Sequence, residues 1–591
     1  MRHAARVITT IALLTAAGAA RAAAPVVTSV YPASQRINAG THTVIEAHFN
    51  QDIDDASVTP VSFRIYGRWS GVHTYSRVVT GATISATLDE PFFAGEWVTI
   101  SMSKDITNQS AEHLAKGYSW NFWTASAKGV NTLTYVTRVN CRVSPETWVQ
   151  VYGAYAGDLD KDGWSDLTAP CEQTNDARVF LSNNGTFSNP PTKVTITNGA
   201  IPSPNEGADF DNDGNIDLVI GNTGGDKASV LFGNGLGGFP SARKISITTG
   251  NTVRGVGTGD FNGDGWDDFV TANRFANASA GNLSIVLNNG DGTFATPVTK
   301  ETGKAGEYTI AIADANNDGI PDIFCGCFAS PYWMVLLLGD GNGAFSVSTS
   351  IAEGGSPWQT VVGDWNGDGN VDVASCNSNT NNMGIMTGNG NGGLSAVVLV
   401  ATNSFPLAID AGDIDGDGDL ELVTSCYTAA KWNIFPNASG TFSAVTKLTL
   451  NSSSAGSCAV LHDRDNDGDL DLSGLDEVDD WIYFYENPGT TSTNVPPPVP
   501  IMQLLQNHPN PFNPSTSIRF ELKQNANVTL SVYDAAGAFV STIAAGPFAR
   551  GPHDVIWNGT NSQGARVGSG VYFYRLQSSG KTLTRKMVLL K

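Results

Sequence analysis

A chain of 591 residues is longer than one hydrophobic core organises, so several domains are expected. Charged residues make up only 15% against 41% hydrophobic, and 64 glycines promise many short turns, a composition that reads as all-β. The formal net charge of −22, from 34 basic and 56 acidic residues, argues against nucleic acid and anionic lipid as partners, because both repel an acidic surface.

Residues 1–24, MRHAARVITTIALLTAAGAARAAA, place two arginines before an apolar run and small residues after it, as a secretory signal peptide does. The run is too short to span a bilayer comfortably and no later stretch approaches 18 apolar residues, so no transmembrane segment is expected. No cysteine follows the cleavage region to take a lipid. Seven cysteines in an exported chain permit disulfides, and the odd number leaves at least one unpaired.

Residues 25–127 contain PVVTSVYPASQ, FNQDIDDASV, FAGEWVTISM and GYSWNFWT, short alternating runs that predict a β-sandwich. The segment is similar to bacterial Ig-like domains of surface proteins. Asp52, Asp54 and Asp55 read as a solvated turn.

From 128 to 489 the sequence repeats. The string D-x-[DN]-x-D-G-x-x-[DE] occurs seven times at intervals of 49 to 54 residues. Positions 1, 3, 5, 7 and 9 are Asp158, Asp160, Asp162, Trp164 and Asp166 in the first copy, and Asp209, Asp211, Asp213, Asn215 and Asp217 in the second. The third has Asp260, Asn262, Asp264, Trp266 and Asp268; the fourth Asp314, Asn316, Asp318, Ile320 and Asp322; the fifth Asp364, Asn366, Asp368, Asn370 and Asp372. The sixth has Asp413, Asp415, Asp417, Asp419 and Glu421, and the seventh Asp463, Asp465, Asp467, Asp469 and Asp471.

Side-chain oxygens at positions 1, 3, 5 and 9, with the position 7 carbonyl and a glycine at 6, form a hard-oxygen set that suits calcium better than magnesium. An EF-hand shares the first six positions but needs a bidentate acid at position 12 between helices. Position 12 here is Ala169, Ile220, Thr271, Cys325, Ser375, Thr424 or Gly474, so the acid at 9 takes its place. Three or four acids in nine residues repel one another without a cation. Seven calcium ions would take the formal charge from −22 to −8.

Each acidic loop lies between apolar runs and is followed by a glycine-rich turn such as LFGNGLGGF, predicting four short antiparallel strands per repeat. Such units bury both faces only by packing on neighbours around an axis, which gives a seven-bladed β-propeller. Only two strand-like runs, 470–475 and 481–485, follow the last loop, so 130–139 (VNTLTYVTRV) is expected to complete the last blade and remove the open edge. These repeats resemble the FG-GAP or VCBS repeats of integrin α-subunit propellers and of many exported bacterial proteins. The resemblance, over 130–490, implies about seven structural Ca²⁺ that stiffen the hairpin between the first two strands of each blade.

Residues 490–503 (TTSTNVPPPVP and its flanks) form an extended linker. Residues 504–591 carry LLQNHPNPFNPSTSIRFEL, VTLSVYDAAGAFVSTI, VIWNGTNSQGARVGSGVYFYRL and TRKMVLLK. They resemble type IX secretion sorting domains and the Ig-like fold of hook-capping proteins, through Pro509, Asn510, Pro511, the turn from Tyr533, Gly570, Tyr572 and Lys586. The resemblance implies recognition by an outer-membrane secretion machinery, and a protein secreted from, or held on the surface of, a Gram-negative-type bacterium. The expected architecture is thus a propeller flanked by two sandwich domains.

Only His462 of eight histidines lies in the repeats, at a position usually held by glycine, and no nucleophile, zinc-protease or phosphate-loop motif is present, so no enzyme is expected. Six residues before each loop stand Tyr152, Ser203, Arg254, Tyr308, Trp358, Leu407 and Ser457, a ring at the axial mouth opposite the loops. Tyr152, Arg254, Tyr308 and Trp358 are the candidates for gripping an extracellular glycan or protein, with channel-filling core as the other reading of the same ring. The function expected is calcium-stabilised binding or adhesion. A polysaccharide lyase or hydrolase built on the propeller, and a purely structural part of an extracellular assembly, stay open as alternatives.

Overall fold

A computed structural model describes residues 23–489, apart from 197, 278–279, 445–446 and 453, and, with short exceptions, 502–590. The segment expected to be a signal peptide, all but its last two residues, most of the expected linker and part of the turn that starts at Tyr533 lie outside the described residues.

Among the described residues between 134 and 486 run seven four-stranded antiparallel sheets, consistent with propeller blades. The fifth is typical, with strands Pro357–Gly363, Asp372–Asn377, Asn382–Met386 and Val398–Ala401 in sequence order. Second strands are buried at every position in all sheets but the third, as Asp217–Asn222 and Glu421–Cys426 are, because a neighbouring sheet covers each face and no alternation survives; in the third, Asp268–Asn277 runs on to the exposed Phe275. The first strands of consecutive sheets touch one another, and Gly456–His462 of the seventh touches Tyr155–Gly157 of the first.

In the seventh sheet the outer strand is Thr134–Asn140, paired with Trp481–Glu486, so the segment expected to close the last repeat does pair there. The buried Asp480 carboxylate fixes this junction: it accepts from Arg142 Nε (2.7 Å) and from the backbone N–H groups of Val149 (3.0 Å) and Gln150 (2.8 Å). All seven cysteines are buried and free, so none of the permitted disulfides is formed; they act as small core side chains.

The N-terminal domain is a sandwich of two four-stranded sheets. Ile45, Ala47, Ile84 and Ala86 of one sheet meet Phe63, Ile65, Val98, Ile100, Trp120 and Phe122 of the other. The strand Tyr118–Trp123 is buried on both sides, because its second face lies on the repeats. Trp123 packs with Trp365 and Leu420, and Trp69 with Leu470 and Cys141. Backbone bonds tie this domain to the acidic loops: Lys104 N to Gly263 O (2.8 Å), Ser119 N to Gly319 O (2.6 Å), Ala127 N to Gly468 O (2.6 Å) and Asp158 N to Trp69 O (2.7 Å).

Charge complements the fit. Arg64, only 5% exposed, sets Nη1 2.7 Å from Asp267 and Nη2 3.9 Å from Asp209, and Arg68 pairs with Asp410 at 3.1 Å. The C-terminal domain is a second sandwich, of three and four strands, around Ile518, Phe520, Leu530, Trp557 and Tyr574.

Breaking a buried pair costs about 3–5 kcal/mol when one charge stays behind. Arg64→Met is therefore expected to release the N-terminal domain first, seen by calorimetry as an added low-temperature transition and by trypsin as cleavage near 125–133. A single transition at the wild-type temperature would contradict this docking.

Candidate functional site

Six of the seven acidic loops share one hydrogen-bonded scaffold, and the seventh keeps it except that Asp463 Oδ1 has no partner. In the fifth, Asp364 at position 1 accepts from Asp368 N (3.1 Å) and Gly369 N (2.7 Å), and Asp368 at position 5 accepts from Asn370 N (2.9 Å). The same bonds hold, for example, Asp158, Asp209 and Asp413 in their loops. The glycine at position 6 takes φ from +80° at Gly319 to +98° at Gly418, a region closed to most side chains. Position 4 is also left-handed, and its Lys161, Asn212, Gly263, Asn317, Gly367, Gly416 and Asn466 are mostly the residues that tolerate this, a signal the spacing pattern alone passes over.

Position 9 has a double role. Asp372 accepts from Trp365 N (3.0 Å) in its own loop and from Gly388 N (2.8 Å) in the turn after the third strand. Equivalent bonds hold Asp166, Asp217, Asp268, Asp322 and Glu421. The acid is thus a buried strap between loop and turn as well as a candidate ligand.

The remaining oxygens converge. One carboxylate oxygen from each of Asp158, Asp160 and Asp166 lies within 4.8 Å of the others, as do those of Asp209, Asp211 and Asp213, of Asp413, Asp415 and Glu421, and of Asp463, Asp465 and Asp467. The third, fourth and fifth loops have Asn262, Asn316 and Asn366 at position 3, so an amide oxygen stands there in place of a third close carboxylate. At that position Asp211 Oδ1, Asn262 Oδ1 and Asp465 Oδ1 are buried without a hydrogen bond. Buried hard-oxygen acceptors that lack donors are what a calcium ion satisfies, and the donor set fits it.

The seventh loop departs from the pattern. Arg464 stands at position 2, where the other loops have an apolar residue, and its guanidinium reaches Asp465 (3.4 Å), Asp471 (3.5 Å) and Glu486. Glu486, which the motif does not include, forms a further close cluster with Asp465 and Asp471. A resident cation there competes with a metal ion.

At the other end of the first strands, Tyr152, Ser203, Arg254, Tyr308, Trp358, Leu407 and Ser457 all line one axial cavity of about 110 Å³. The N-terminal domain closes its inner end with Arg68, beside Glu206 and Asp410. Around the mouth, Tyr308 stacks on Phe328 (4.7 Å between centroids) and meets Trp358 (5.2 Å); Phe405 and Tyr427 extend the array. Trp358 Nε1 donates to the Tyr152 hydroxyl. His462 is sealed between Ser165 and Ser473 at 2.8 Å on each side, and burial, with Arg464 nearby, pushes it down to about 3; it is a neutral packing residue.

The FG-GAP-like repeat model matches residues 158–220, 209–271, 275–325, 314–375 and 364–424. The middle of the chain is built of FG-GAP-like repeats. A bacterial Ig-like domain model matches 21–124 and the FlgD Ig-like domain model 510–581. No curated protein matches the chain. Among solved structures, a functionally unknown protein from Desulfotomaculum acetoxidans is 14% identical and covers 64% of this chain and 96% of its own, with a TM-score of 0.36. A fungal AA5-family alcohol oxidase in complex with copper (12%, 78% and 100%, TM-score 0.37) and the V. cholerae biofilm matrix protein Bap1 (12%, 62% and 90%, TM-score 0.34) are also similar. At these scores they bear on neither architecture in detail nor activity.

In the FG-GAP-like repeats burial, ahead of carboxylate repulsion, raises the loop acids. Asp158, Asp322 and Glu421 are pushed up to about 8, Asp260 and Asp372 to about 7, and Asp209, Asp314 and Asp413 to about 6. A carboxyl raised in the folded state stabilises the metal-free fold fully below its unfolded value near 4, and that contribution is lost as pH rises through 6 to 8. A calcium ion bound in a loop would replace those protons. The rise in melting temperature on adding calcium is therefore expected to grow from pH 5 to pH 8, each loop contributing about 1.4 kcal/mol at ten times its Kd. A melt indifferent to calcium and chelator at pH 8 would contradict the metal reading.

Proposed function

We propose that the seven sheets are the blades of one closed propeller, that its loops hold about seven structural Ca²⁺, and that the chain is an extracellular or cell-surface binding and adhesion protein. The observation that carries this reading is the placement of the N-terminal domain. It occupies the loop face, where Lys104, Ser119 and Ala127 bond the loop backbone and Arg68 shuts the channel. One mouth is left, and it presents Tyr152, Arg254 and Trp358. Calcium then acts at a distance from the ligand, holding the blades and the cap that make the cavity blind.

Several further features support an extracellular setting: the N-terminal leader pattern, the two Ig-like modules and loops that need the high calcium of the outside medium. The C-terminal FlgD Ig-like domain is, in this reading, the part addressed by the outer-membrane secretion machinery.

Labelled full-length protein on glycan and protein arrays, with calcium and with chelator, tests the proposal. At least one ligand is expected to bind in calcium, to fall at least tenfold with Trp358→Ala, and to be lost with chelator. Binding to nothing, or turnover of a glycan, would overturn it.

A further inference from the structure

The axial mouth has a charge pattern that the binding reading leaves unused. In a chain of net charge −22, Arg254 and Arg274 come together there. The Arg274 guanidinium lies 4.3 Å from the Phe328 ring centroid, 4.7 Å from Phe275 and 5.4 Å from Tyr308, and Arg254 lies 5.6 Å from Tyr308. Neither makes an ion pair within 4.0 Å among the described residues; Glu172 and Glu477 act on Arg254 from farther off. Two guanidiniums held close on aromatic faces, without a contacting carboxylate, repel each other and leave planar donor forks open.

A second observation points the same way. Tyr308 is 1% exposed and lines the cavity, yet its hydroxyl has no hydrogen-bond partner, and neither has the buried Arg254 Nε. Unmet buried donors of this kind mark a place where a ligand supplies acceptors. The rest of the lining is rich in hydroxyl and amide groups, Ser203, Asn205, Gln359, Thr360 and Ser457, beside the Trp358 ring. That mixture suits a polyhydroxylated ring better than an apolar peptide side chain.

Resting on the binding reading above, we infer that the axial mouth is a site for acidic saccharides, with a uronate carboxylate held by Arg254 and Arg274 and its sugar ring against Trp358. Isothermal titration of the calcium-loaded full chain tests this with a glucuronate-containing trisaccharide, its carboxyl-reduced counterpart and a short peptide with a free C-terminal carboxylate. The uronate is expected to bind at least tenfold tighter than the reduced sugar. Arg254→Gln and Arg274→Gln are each expected to weaken it at least tenfold at unchanged melting temperature, with Arg254→Lys intermediate. Equal binding of the reduced sugar, no uronate binding at millimolar concentration, indifference to both arginine variants, or binding of the peptide alone would overturn the inference. If uronates fail while another array ligand binds through Trp358, only this assignment falls and the platform reading stands.

Discussion

Seven loops crowd buried and half-buried carboxylates onto short stretches of backbone, and most of the middle of this molecule is arranged around them. Twenty-five acidic side chains occupy the ligand positions of loops nine residues long, nearly half of the 56 in the chain. Burial, with repulsion between neighbouring carboxylates, lifts many of them into the neutral range, so a metal-free fold keeps protons that an exposed aspartate loses near pH 4. A bound calcium ion would remove the conflict between burying the loops and ionising them. The sandwich domains, whose cores are ordinary apolar interiors, have no such dependence.

The loops also carry structure outward in two directions. Through position 9 they fix the turn after the third strand of the same sheet, as Asp372 does at Gly388. Through their backbone carbonyls at Gly263, Gly319 and Gly468 they receive the N-terminal domain, which brings Arg68 to the inner end of the cavity. Metal held in the loops would therefore be linked to the docking of the N-terminal domain and to the shape of the cavity without any ion lining that cavity. The seventh loop shows another solution to the same electrostatic problem, a guanidinium from Arg464 set among Asp465, Asp471 and Glu486.

What was legible in the sequence was what depends on local spacing. Oxygen donors at positions 1, 3, 5 and 9 sit on one short stretch of backbone, so the loops could be read directly. The axial ring followed because a constant offset of six residues along equivalent strands puts Tyr152, Arg254, Tyr308 and Trp358 at one height. Docking of the N-terminal domain was hidden because Trp69, Trp97 and Trp123 belong to separate strands and meet the repeats only in space, although a strand with aromatic residues on both faces, YSWNFW, was a hint. Arg274, Phe328 and Tyr427 stand at one constant offset, 14 residues after position 1 of their loops, but that offset lies outside the nine-residue motif, and only the folded edge gathers them with Phe405. Asp480, a lone acid in the sequence, gained its role from the distant segment 142–150.

The number of calcium ions per chain tests calcium as the organising charge most directly. Equilibrium dialysis of the full chain against millimolar calcium, followed by elemental analysis, is expected to give six or seven bound ions, the weakest belonging to the loop that holds Arg464. None, or one, would contradict it.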